Sequence, residues 1–265
     1  MTDLTHFYLA LRERARDIVS GLPEPDFYSR EAPALARSAA LFDTTPLITE
    51  LTAAAGGLLE DDFGHGLTHA RKVALEAGAL VWIEARAAGL SERVARRQVR
   101  LAHCAGLLHD IRRKQPDHAE QSARRARRIL AGRQLAPGEI ADVCTAIRNH
   151  EAFKPTWVVE TLEAALLSDC LYDADKFRWG PDNFTDTLWA MMLYHRPTPA
   201  EFLRRFPAGM ERLARIRATF RSAAGKRYGP RFIDLGLAAG EALYRVLRDE
   251  IGDGLPASAR RPDSN

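Results

Sequence analysis

A chain of 265 residues is long enough for one large domain or two small ones, and a hydrophobic content of 46% is that of a globular protein with a substantial core. Its 38 basic and 35 acidic residues leave a net charge of +3, too mild to mark a nucleic-acid binder. The three cysteines, Cys104, Cys144 and Cys170, are odd in number and form no C-x-x-C pair, which excludes a disulfide framework and a thiolate zinc site and leaves buried free thiols.

Helical periodicity runs through almost the entire chain, and strand-like alternation is nearly absent. The N-terminal MTDLTHFYLALRERARD lacks the basic start and apolar core of a secretory leader. It reads instead as an amphipathic helix over 4–21, ended by Gly21 and Pro23. Helices follow over 30–42 and 46–58, the latter stopping at Gly56-Gly57. A long helix spans 67–88 and is closed by Gly89; its apolar stretch is interrupted by Glu76 and Glu84 and is no membrane span. Ser91 caps a helix that reaches His109, and Asp117-x-x-Glu120 predicts a capping box for a helix over 118–131. Pro137 opens a helix that continues through His150, and Pro155 is expected to open another that runs to Tyr172. Helices over 184–194, 199–222 and 231–252 complete an all-α, single-domain bundle. The expected organisation is an N-terminal helical extension (1–45), a helical core (46–180), C-terminal helices packed on it (181–254) and a disordered tail (255–265). A reducing bacterial cytoplasm fits this reading. Nothing in the sequence speaks to oligomeric state.

Within the core, imidazoles and carboxylates recur in the order His69, His109-Asp110, His118, His150 and Asp175. Such donors suit a borderline or hard divalent ion such as Mn, Fe, Co, Ni, Mg or Zn. Adjacent residues on a regular helix point about 100° apart. His109 and Asp110 therefore reach one ion most easily where a helix ends, and the apolar run ends there, before Arg112-Arg113-Lys114-Gln115-Pro116. His65, four residues before His69, reads as a structural or pocket residue, whereas His6, His103 and His195 stand apart from the set.

The segments that carry these residues resemble the HD superfamily of metal-dependent phosphohydrolases. GHGLTHARKVALEA is similar to its first histidine motif, AHCAGLLHDIRR to its signature His-Asp pair, DHAEQSARRARRIL to the following His-led helix, AIRNHE to the next histidine motif and LLSDCLYDADKFRWG to the final aspartate motif. The likeness spans about 65–180. It implies that His69, His109, Asp110 and Asp175 hold a first metal ion. It implies that His118 and His150 hold a second ion or contact substrate, and that Asp173 supports the site from outside or lies at a helix end. Arg112 stands where many relatives have glycine. His150-Glu151 replaces the paired histidines of cyclic-dinucleotide-degrading relatives, whose Gly-Tyr-Pro motif is missing.

A divalent ion so held lowers the pKa of bound water from ~15.7 towards ~7 and polarises a phosphoryl oxygen. Attack on phosphorus also needs cations around the equatorial oxygens. Arg113 and Lys176 are the first candidates and Arg71 and Lys154 the next; the metal-bound water itself, Asp110 through its non-ligating oxygen, or Glu151 could handle the proton. The pocket walls are expected from the N-terminal helices and the segment after Asp175, where Phe177, Trp179, Phe184 and Trp189 could line a pocket, with core packing the expected role of most of them. The expected substrate is a nucleotide or other small phosphate ester, with neither membrane nor nucleic acid as partner. A di-iron oxygenase of the same superfamily uses a similar ligand set and is the competing reading. A non-catalytic metal-binding module is the third.

Overall fold

A computed structural model describes residues 2–59 and 64–251. The tail expected to be disordered lies outside the described residues. Among the described residues there are twelve α-helices, one π-helical turn and no strand. They are α1 (Thr2–Ser20), α2 (Asp26–Arg30), α3 (Ala32–Thr44), α4 (Pro46–Gly56), α5 (Leu67–Ala87), α6 (Glu92–Leu108), α7 (His118–Leu130) and α8 (Pro137–Arg148). After these come α9 (Leu162–Phe177), the π-helical turn Asn183–Thr187, α10 (Leu188–His195), α11 (Pro199–Ile216) and α12 (Ala223–Ile251). None of these helices is long and apolar enough to cross a membrane. Cys104, Cys144 and Cys170 are buried free thiols.

The bundle is organised around α5, which buries Val73, Ala74, Ala77, Gly78, Leu80 and Val81 against α3, α6 and α9. Small residues let α5 and α6 approach closely: a Cβ on Gly106 would overlap the Ala74 backbone. Ser91 caps α6 by accepting the Val94 amide at 3.4 Å, and Gly89 ends α5's turn in the left-handed region, φ 74°.

Four expected boundaries are corrected. The helix expected over 30–42 is broken at Glu31 into α2 and α3, with Pro33 in the first turn of α3, where its missing N–H costs nothing. The capping box at Asp117 does not form. Asp117 adopts a left-handed conformation (φ 48°) and makes no capping bond, while Glu120 pairs with Arg124 at 2.6 Å and Arg148 at 2.5 Å. Pro155 does not open a helix. The buried Asn149 side chain accepts the Trp157 amide at 2.7 Å and donates to its carbonyl at 3.1 Å, taking both backbone groups a helix would need. Helix α9 starts instead at a Thr161 cap and runs on to Phe177, which places Asp175 in its last turn. Finally, α11 stops at Ile216, and α12 begins at Ala223 rather than at 231, carrying Pro230 inside it. Its N-terminus is fixed by Asp173 of α9, whose carboxylate accepts the Arg221 and Ser222 amides at 2.8 Å each, and by Ser222 Oγ, which accepts the Gly225 amide at 2.8 Å.

Candidate metal centre

Each of the six residues in the expected ligand set sits at a helix end. His69 is in the first turn of α5, and His109 and Asp110 follow the last residue of α6. His118 opens α7, His150 lies just past α8, and Asp175 is in the last turn of α9. Helix ends free the side chains from the 100° stagger, so the donors of five helices converge.

Two sets of donor atoms share Asp110. On one side, His69 Nε2 lies 3.3 Å from His109 Nε2 and 3.5 Å from Asp175 Oδ1. His109 Nε2 lies 3.5 Å from Asp110 Oδ2 and 3.6 Å from Asp175 Oδ1. On the other side, Asp110 Oδ1 lies 3.3 Å from His150 Nε2 and 3.5 Å from His118 Nε2, which are themselves 3.3 Å apart. Ligands held about 2.0–2.2 Å from a common ion stand roughly 3.0–3.5 Å from one another, so both spacings suit a divalent metal. His65, placed just before α5, brings its Nε2 to 3.9 Å from Asp110 Oδ2 and its ring to 4.9 Å from that of His69.

The protonation pattern also fits a cation. His109 Nδ1 donates to the Gly106 carbonyl at 2.8 Å and His150 Nδ1 to the Ile147 carbonyl at 2.6 Å. His118 Nδ1 faces Glu151 Oε1 at 3.3 Å. With Nδ1 turned to these acceptors, each ring directs its Nε2 inward. Asp110 Oδ1 is buried and has no hydrogen-bond donor, a costly state unless a positive charge stands beside it. Burial opposes the charges of Asp110 and Asp175. His109 beside the first and Lys176 beside the second outweigh it, and both carboxyls are held well below the usual range. Burial pushes His118 down to about 3, against the pull of Asp110, so its ring is neutral near pH 7.

Two expected cations border this cluster. Lys176 is buried and donates to Asp175 Oδ2 at 2.5 Å, leaving Oδ1 to the histidines. Arg113 donates to His118 Nε2 at 2.7 Å and comes within 3.8 Å of Asp110 Oδ1, with part of its guanidinium open to solvent. Arg71 points away, paired with Asp43 at 3.3 Å and stacked on Phe42, and Lys154 is exposed on the loop beyond His150. Asp173 serves the N-terminus of α12, as described above. His103 is buried and paired with Ser38 Oγ at 2.9 Å, apart from the cluster. Phe177 and Trp189 are core residues, whereas Trp179 is half-buried at the edge of the site.

A cavity of about 820 Å³ opens beside the cluster and is lined by His65, His69, His118, His150, Asp175, Arg113 and Lys176. Its remaining wall comes chiefly from the π-helical turn, α10 and α11 and includes Asn183 and His195, which belong to no motif. Sequence reading expected a pocket wall from the segment after Asp175, and Trp179 and Phe184 do line the cavity, but it singled out no residue of the face Leu188, Met191, Met192, His195, whose spacing was a usable signal. Arg178 was also missed. It is buried at the cavity's base and bound to Glu76 at 2.5 Å, Tyr28 at 2.9 Å and Asp182, with Lys72 donating to Asp182 at 2.8 Å.

An all-helical fold with histidines and aspartates converging at helix ends defines a helical protein with side chains that could hold a metal ion. The model of the HD domain family matches residues 66–180, and this stretch of the chain belongs to that family. Neither the curated proteins nor the solved structures compared with the chain include a match.

Proposed function

We propose that the protein is a metal-dependent phosphohydrolase that acts on a nucleotide or other small phosphate ester. The observation that carries this reading is the placement of two cationic side chains, Arg113 and Lys176, on the same cavity as the donor cluster built around Asp110. His69, His109, Asp110 and Asp175 would hold the ion, with Asp110 Oδ1, His118 and His150 available for a second. When bound, the ion supplies Lewis acidity, which makes water nucleophilic near neutrality and polarises a phosphoryl oxygen.

The protein's own groups supply the rest. The Gly106 and Ile147 carbonyls fix the tautomers of His109 and His150, and Glu151 orients His118. Lys176 holds Asp175 with one oxygen turned to the cluster. Arg113, whose bond to His118 Nε2 would give way where that nitrogen holds an ion, offers its N–H groups to the equatorial phosphoryl oxygens, where charge accumulates in the transition state.

Protein purified without chelators, assayed for metal content and against a panel of phosphate esters, tests this reading. Hydrolysis that depends on the metal, falling by about 10³-fold or more in Asp110→Ala together with loss of bound metal, is the expected outcome. Inactivity of the metal-loaded protein across the panel refutes it. The second donor set, Asp110 Oδ1 with His118 and His150, favours one competing reading, a di-iron oxygenase. Two irons per chain with an oxygen-dependent colour change support that reading, and a single ion other than iron excludes it.

A further inference from the structure

The cavity beside the metal cluster is far larger than a phosphoryl group requires. Sites for small organic ligands run to about 300–1,000 Å³, and this one, at about 820 Å³, lies in the upper part of that range. The HD segment contributes its polar end. Its other wall lies beyond residue 180, on α10 and α11, and has a different character.

Helix α10 turns Leu188, Met191 and Met192 to the cavity, and α11 adds Phe206, Met210 and Leu213. The spacings of three and four residues give one apolar face on each helix. Three of these six are methionines, all half-buried, with unbranched side chains that can repack around a flexible guest. Arg205 and Arg212 flank the stripe on α11, and Trp179 stands at the junction, its ring 5.9 Å from Lys176 Nζ and 6.0 Å from the Arg212 guanidinium.

The α10–α11 face itself carries no side-chain amide, and its one carboxylate, Glu201, is engaged in capping its own helix, accepting the Thr198 amide at 2.8 Å and hydroxyl at 3.0 Å; the amide of Asn183 borders the cavity from the π-helical turn, outside the apolar stripe.

We propose that the substrate is a phosphomonoester of an alcohol with an extended apolar chain, its phosphate at the metal cluster and its chain along the α10–α11 face. This rests on the phosphohydrolase reading above and narrows it. In the reaction, water oxygen bonds to phosphorus, the P–O bond to the alcohol breaks, and a proton from the water passes to the departing oxygen, giving alcohol and inorganic phosphate.

The test is a series of ethyl, butyl, hexyl and decyl phosphates, with adenosine monophosphate alongside, hydrolysed by the full chain supplied with Mn²⁺. The expected result is a kcat/KM that rises about two- to four-fold per methylene until the cavity is filled, with decyl phosphate preferred over adenosine monophosphate. Met191→Asp and Met210→Asp each place a charge on the wall and lower the decyl-to-ethyl ratio at least ten-fold, whereas Met210→Leu preserves it. Calorimetry on the unaltered protein gives a second readout independent of any variant: decylphosphonate binds at least ten-fold more tightly than ethylphosphonate. Hydrolysis without a chain-length dependence, a preference for the nucleotide, or equal binding of the two phosphonates overturns this proposal and leaves the phosphohydrolase reading standing. No turnover of any ester by the metal-loaded protein overturns both.

Discussion

The two ends of the cavity differ in how their side chains are held. At the metal end, the ligand side chains are largely buried and fixed twice over, once by a helix end and once by a second hydrogen bond, as with His109 on Gly106 and Asp175 on Lys176. At the α10–α11 end, methionines and arginines are half-buried or exposed, and the helices that carry them are tied down mainly by apolar packing of Trp189, Phe202 and Phe206. The contrast teaches that the donor cluster is held in fixed positions, whereas the opposite wall can vary in shape. The metal end should accordingly respond sharply to small changes, and the opposite wall should absorb them.

The largest effect is expected from Lys176→Met. The change leaves Asp175 Oδ2 buried without its donor, and loss of such a supporting partner lowers metal affinity roughly 10–100-fold. Competition with a fluorescent chelator measures it, and an unchanged affinity would show that Asp175 holds its orientation without Lys176. Next comes Gly106→Ala, at the close crossing of α5 and α6 that sets His69 against His109. The added methyl overlaps the Ala74 backbone and should cost about 1–3 kcal/mol in urea unfolding. A neutral result would mean that the two helices can separate without consequence. The smallest effect is expected from Met192→Leu on α10, a swap of similar volume on a half-buried face, which should change stability by less than ~1.5 kcal/mol. A larger loss would break the contrast by showing that the wall is as tightly packed as the metal end.

The convergence of the His109-Asp110 pair was legible because the apolar run of α6 stops there, and the all-helical fold was legible from periodicity. The boundaries that went astray depend on partners distant in the chain. Nothing local to residues 155–161 reveals that Asn149 grips Trp157, and nothing local to Ser222 reveals that Asp173, 49 positions earlier, waits to receive its amide. Propensity favoured a helix after Pro155 and a start near Pro230, and tertiary hydrogen bonding overrode both. At Glu120 the competition was between a cap and two arginines, and charge pairing won. A pocket wall was expected after Asp175, but its residues on α10 and α11 could not be singled out, for another reason. An apolar face that lines a cavity has the same spacing as one that fills a core, and only the distance to the neighbouring helices tells them apart.

The grip of Arg221 on the end of α8 bears on modularity. Its guanidinium donates to the Asn149 carbonyl at 2.8 Å while lying 3.6 Å over the Tyr172 ring, and the amides of Arg221 and Ser222 satisfy the Asp173 carboxylate. The family-matched stretch therefore borrows, from a loop some forty residues downstream, the anchors for the residue before His150 and for the helix that bears Asp175. Excised at residue 180, it would keep every donor atom and lose the braces that aim two of them. The unit of inheritance and the unit of working structure are here of different length.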